Sequence, residues 1–139
     1  MKYILLFLVQ MIVFSGWAQN SELKVTVSNI NKIEGDLVVA VYNSAQTFIK
    51  EGKEFRRMAR KIAAASETFS FTGLPSGEYS IALFHDKNSD GKCNTNFVGM
   101  PKEGYGFSRN FKPRFSAPKF NDTRVAITSD TVIQIRLIN

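Results

Sequence analysis

The chain has 139 residues, 44% apolar and 22% charged, with a formal net charge of +6 and a single cysteine, Cys93. One cysteine excludes an internal disulfide, so stability must come from core burial and, at most, a bound metal. The length, less a leader, suits one domain with its own core.

The leader comes first. Lys2 precedes an apolar run from Tyr3 to Phe14, followed by Ser15-Gly16-Trp17-Ala18. A short positive start, an apolar centre and small residues at Gly16 and Ala18 describe a secretory signal peptide, residues 1–18, cut after Ala18 or alternatively after Gln19. The run is shorter than the about 20 residues needed to span a bilayer, so no transmembrane segment is expected after cleavage. No cysteine stands near the cut, which rules out lipid attachment there. The mature domain, 19–139, is therefore expected to be secreted or periplasmic. Without Lys2 there remain 17 basic and 12 acidic residues, a net charge of +5, much of it within Lys50 to Lys61. For an exported protein this excess points away from nucleic acid. It suits an anionic cell surface, lipopolysaccharide or glycan, or simply a solvated basic face.

Strands follow in order. Glu22 to Ile30 alternates, with Leu23, Val25, Val27 and Asn29 on one side and Lys24, Thr26 and Ser28 on the other, as in a half-buried strand. Residues 31 to 35 make a turn. Asp36 to Tyr42 is apolar on both faces and belongs in the middle of a sheet. Residues 45–65 fit either a helix or a strand. The reading adopted is a helical turn from Ala45 to Glu51 and a strand from Arg57 to Ala64. Glu67 to Phe71 is a strand, and Gly73-Leu74-Pro75-Ser76-Gly77 is a turn. Glu78 to Phe84 is the next strand, with Tyr79, Ile81 and Leu83 on one face. Pro113 and Pro118 make Phe111 to Phe120 irregular. Asp122 to Thr128 and Thr131 to Ile138 are read as a C-terminal hairpin about Ser129-Asp130. The whole predicts an all-β fold: a single antiparallel β-sandwich of about seven strands, immunoglobulin-like or transthyretin-like, with a long ordered loop.

That loop, His85 to Ser108, carries the chemistry. Asp86, Asn88 and Asp90 stand at every second position and Gly91 follows, which is how a calcium loop opens. Lys92 would offer its carbonyl and Asn94 its side chain. The closing bidentate Glu is absent, since Phe97 holds that place, and no helices are expected on either side. The loop is thus not an EF-hand. It is a candidate Ca²⁺ site formed by Asp86, Asn88, Asp90, Lys92 and Asn94, with Glu103 closing the shell. The alternative is that Asp86, Asn88 and Asp90 only cap backbone N–H groups. Cys93 is read as a small buried apolar residue. The aromatic residues Phe97, Tyr105, Phe107, Phe111, Phe115 and Phe120 predict a loop packed on the sheet as a lid. His85 beside Asp86, with Ser108 in the same segment, invites a Ser-His-Asp reading, but no nucleophile elbow accompanies them.

The run from Gly73 to Ser108 resembles a family of small secreted bacterial proteins known only as domain of unknown function 2141. The matching residues include Leu74, Pro75, Gly77, Tyr79, His85, Asp86, Asn88, Gly91, Asn96, Gly99, Pro101 and the run Glu103 to Ser108. Asp90 and Asn94 exchange the amide and acid that the family often shows at those places. The resemblance implies export and carries no assigned activity. The expected function is a non-enzymatic binding or accessory module for an unknown protein, glycan or small ligand at the cell envelope. Two alternatives stand beside it: a hydrolase-type enzyme using His85, Asp86 and Glu103, and a purely structural domain.

Overall fold

The computed structural model describes residues 19–96 and 99–139. The signal peptide expected at 1–18 lies outside the described residues, as does Phe97. Among the described residues eight strands form: β1 Ser21–Ser28, β2 Asp36–Tyr42, β3 Arg56–Lys61, β4 Glu67–Leu74, β5 Gly77–Asp86, β6 Tyr105–Phe107, β7 Val125–Ile127 and β8 Thr131–Arg136. The only α-helical turn among the described residues is α1, Phe120–Thr123. Among the described residues no helix is long and apolar enough to cross a membrane.

The strands make two sheets. One has the order β4-β1-β8; the other runs β3-β2-β5-β6, with β7 also paired to β5. Alternation explains the shared core. Leu23, Val25 and Val27 of β1, Phe69 and Phe71 of β4, and Ile135 of β8 meet Val39 and Val41 of β2 and Ile81 and Leu83 of β5 in one buried cluster. At about 25 cal/mol per Å² of apolar surface, this shared interior is the main stabilising term. The fold is mostly β, as expected, and β2 is central, between β3 and β5. Residues 45–49 form turns rather than a helix, and β3 occupies the strand expected after them.

Three expectations are corrected. One sheet is mixed, because β1 pairs with β8 in parallel, Val25 opposite Ile133 and Val27 opposite Ile135, while the other is antiparallel throughout. There is no C-terminal hairpin: β7 pairs with β5 and β8 pairs with β1, so the two strands enter different sheets. The Asp130 side chain is spent on the Glu22 N–H at 2.8 Å, which draws the start of β8 to β1. Finally, Tyr105–Phe107 is a strand within the supposed loop, pairing with β5 at Phe84, Leu83 and Ala82.

β5 therefore shares one edge between β7 at its start and β6 at its end. The gap is filled by a side chain. Ser108 is fully buried; its Oγ accepts the Ile81 N–H at 3.0 Å and donates to the Thr123 carbonyl. Tyr79 donates its hydroxyl to the Pro75 carbonyl and so fixes the turn into β5. At the corner where the sheets meet, Tyr105 and Ile138 exchange backbone hydrogen bonds of 2.9 and 2.7 Å. A Cβ on Gly106 would lie 2.8 Å from Ile135 Cγ2, so only glycine lets this seam close.

Gly35 is the other obligate glycine. It has φ +67°, and a Cβ there would collide with the Asp86 carbonyl and sit 2.7 Å from Lys87 Cα. Left-handed backbone and a clash with main chain combine, so Gly35→Ala is expected to cost about 3 kcal/mol, read as a lower urea midpoint at constant slope.

Candidate functional site

The end of β5 is held from two sides. The His85 N–H donates to the Gly104 carbonyl at 2.7 Å, and its Nε2 lies 2.7 Å from the Glu34 carbonyl. A carbonyl only accepts, so Nε2 carries the proton. The ring is buried, at 1% exposure, and works as a latch between the β1–β2 turn and the loop base. Asp86 is equally buried. One carboxylate oxygen accepts the Asp90 N–H at 3.2 Å and the other the Gly91 N–H at 2.6 Å. Asp86 thus caps the loop that follows it.

The remaining predicted ligands gather only in part. Asp90 Oδ2 accepts from the side-chain amides of Asn88, at 3.1 Å, and Asn94, at 3.3 Å, while Oδ1 accepts the Lys92 N–H at 2.9 Å. The Lys92 N–H, then the two amides, hold the exposed Asp90 carboxyl below the usual carboxylate range. Glu103 stands apart from this trio: one oxygen accepts the Lys87 N–H at 3.0 Å, and the other is buried with no hydrogen-bond partner. Among the described residues no three His, Cys, Asp or Glu side chains come close enough to hold a metal. Cys93 is exposed, not buried as expected. Partial burial of its thiol, then the charges of Glu103 and Asp86, push its pKa up. Such a thiol is a weak nucleophile.

Beyond the trio the loop is ordered by its own backbone. Lys102 N–H donates to the Asn94 carbonyl and Asn96 N–H to the Met100 carbonyl, each at 2.8 Å. These bonds make a short hairpin arm. The expected lid is only partly present: Tyr105, Phe107 and Phe111 are half-buried and Phe120 buried, while Phe115 is 99% exposed.

Behind the arm lies a groove of about 650 Å³. Its floor is the outer face of β2 and β5, where Val38 stands opposite Phe84 and Ala40 opposite Ala82. Two facing alanines make the sheet surface low at that point. Tyr42, Tyr105 and Phe107 add aromatic walls, the loop arm supplies Met100 and Pro101, and Pro113 and Pro118 come from the irregular segment. Glu51, Glu54, Arg57 and Lys92 place two charges of each sign around it. Arg57 donates to the Gly91 carbonyl at 2.8 Å and so ties β3 to the Asp/Asn loop.

Sequence reasoning centred on the loop and missed this floor. The signal was available in β2, whose apolar residues on both faces require a second cover beyond the core.

The arrangement is that of a two-sheet β-domain with a preformed, largely apolar groove beside a polar loop. A family model described as an uncharacterized protein conserved in bacteria, DUF2141, matches residues 25–135, and the chain belongs to that family. No curated protein and no solved structure matches the chain.

Tyr42, in the groove wall, has its phenol pushed up to about 12, by burial first and then by Glu54, with Arg57 opposing. A pKa raised on folding gives stability that is complete below the unfolded value of 10.0 and declines as pH rises toward about 12. A Tyr42→Phe variant should show a smaller loss of stability over that interval in denaturant titrations. An identical loss in both proteins would remove Tyr42 from the cause.

Proposed function

We propose that the domain is an exported, non-enzymatic binding module of the cell envelope, whose ligand or partner seats in the groove beside the His85–Ser108 loop. The groove itself carries this reading. Its volume of about 650 Å³ falls within the range of roughly 300–1,000 Å³ common to small-molecule sites, and its walls are mostly apolar with a few polar groups at the rim. The leader pattern at 1–18 supports export, to the periplasm or beyond. The fold is read as an immunoglobulin-like or transthyretin-like sandwich, a reading supported by the Tyr79 hydroxyl bonding back to Pro75, which resembles the tyrosine corner of such sandwiches.

A hydrolase using His85, Asp86 and Glu103 would need these groups free to meet a substrate. His85 and Asp86 are buried and spent on backbone partners. Ser108 is buried and spent in the same way. These contacts favour binding over catalysis.

The apolar dye 8-anilinonaphthalene-1-sulfonate tests the groove. Saturable binding at one site is expected, and Ala82→Trp, which fills the low point of the floor, should abolish it while leaving the circular dichroism spectrum intact. Binding unchanged by Ala82→Trp would place the dye elsewhere and remove the basis of the proposal.

A second reading, of Ca²⁺ in the Asp/Asn loop, is favoured by the meeting of Asn88, Asp90 and Asn94 and by the partnerless Glu103 oxygen. The Lys92 carbonyl would complete the loop's share, and Asp86 would act as a ligand only by surrendering its caps. Two carboxylates, Asp90 and Glu103, among neutral oxygens imply weak affinity, roughly 10⁻⁴ to 10⁻³ M. Calcium at ten times its dissociation constant should add about 1.4 kcal/mol to stability and raise the melting temperature, reversibly with chelator. Asp90→Ala should erase that response. A melting temperature indifferent to calcium would leave the loop as a set of backbone caps.

A further inference from the structure

We infer that a second cleft, on the other side of Phe107 from the groove, binds a carboxylate-bearing sugar ring. This cleft measures about 510 Å³ and is lined by Asn29, Asn31, Phe111, Lys112 and Arg136 together with Phe107. Its charge differs from that of the groove. Lys112 and Arg136 are its charged side chains, and the last residue, Asn139, lines it as well. Among the described residues neither Lys112 nor Arg136 pairs with an acid. Arg136 instead donates to Asn29 Oδ1 at 3.2 Å.

The amides are held in place. Asn29 donates its side-chain amide to the Leu137 carbonyl at 2.8 Å, and Asn110 accepts the Arg136 N–H at 2.8 Å. Both have left-handed backbone, φ 67° and 50°, and Arg109 beside them has φ 62°. Strained residues held by such contacts gather at ligand sites. Asn110 also donates its side-chain amide to the Gln134 carbonyl at 3.2 Å, so among the described residues each of the two amides uses one N–H and one lone pair, of the two of each it has. A mixture of donors and acceptors matches hydroxyl groups. A phosphate would offer mostly acceptors and leave most amide oxygens facing like charge. The phenyl rings of Phe107 and Phe111 suit the C–H face of a sugar, and the two cations suit its carboxylate.

Sodium glucuronate is the probe, with glucose and inorganic phosphate as comparisons, followed by amide NMR on the purified protein. Glucuronate should shift the Phe111, Lys112 and Arg136 signals. Lys112→Gln and Arg136→Gln should each weaken binding about tenfold, the size of one lost charged hydrogen bond. Among the described residues Lys112 makes no side-chain ion pair, so its variant separates binding from folding. Glucose or phosphate binding as tightly as glucuronate, an unaltered affinity in Lys112→Gln, or no shift at all would each overturn the assignment.

Discussion

A β-strand that is apolar on both faces must be covered twice. β2 and β5 are such strands, and the rest of the chain is arranged to meet that demand. The sheet of β4, β1 and β8 covers one face and forms the core with it. On the other face Ala40, Tyr42, Phe48 and Phe120 make a smaller cluster, with Ala82 and Phe107 packed against it. That second cover is incomplete. Where it stops, between the loop arm and the proline-bearing segment, the sheet surface is left open as the groove. The cleft is thus a consequence of how two strands are buried.

Seen this way, most of the conspicuous residues between Tyr79 and Ser108 are scaffold. Tyr79 fixes the entry to β5, His85 latches its exit to the β1–β2 turn, and Ser108 bridges the break between β6 and β7. Gly106 allows the two sheets to touch at Ile135. Residues that invite a catalytic reading in one dimension are here satisfied by backbone partners, as buried polar groups generally are. The outward-facing part of this segment is small: the Asn88, Asp90 and Asn94 trio and the arm behind it.

The sequence is legible where one force dominates. β1, β2 and β5 are plain because burial imposes a period of two, or a continuous apolar run, over seven or more residues. β6 is not, since three residues, one of them glycine, carry no period. Ser129-Asp130 looks like a hairpin turn because local turn chemistry is permissive; the partner choice of β8 is set by Val25 and Val27, a hundred residues away, and no local signal reports it. Cys93 was misread for a related reason. Its place in an ion-loop pattern suggested burial, but the flanking helices that would bury such a position are missing. The Asp/Asn spacing suggests Asp86, Asn88 and Asp90 as oxygens aimed one way; in the fold Asn88 and Asp90 meet each other and Asn94. The spacing could not show that the buried Asp86 already caps that turn.

The parallel pairing of β1 with β8 bears on how this molecule comes into being. A ribosome delivers β1 long before β8, so the three-stranded sheet stays unfinished until β8 has emerged. The nascent chain must wait, with Leu23, Val25 and Val27 lacking one neighbour, and contacts so distant in sequence form slowly.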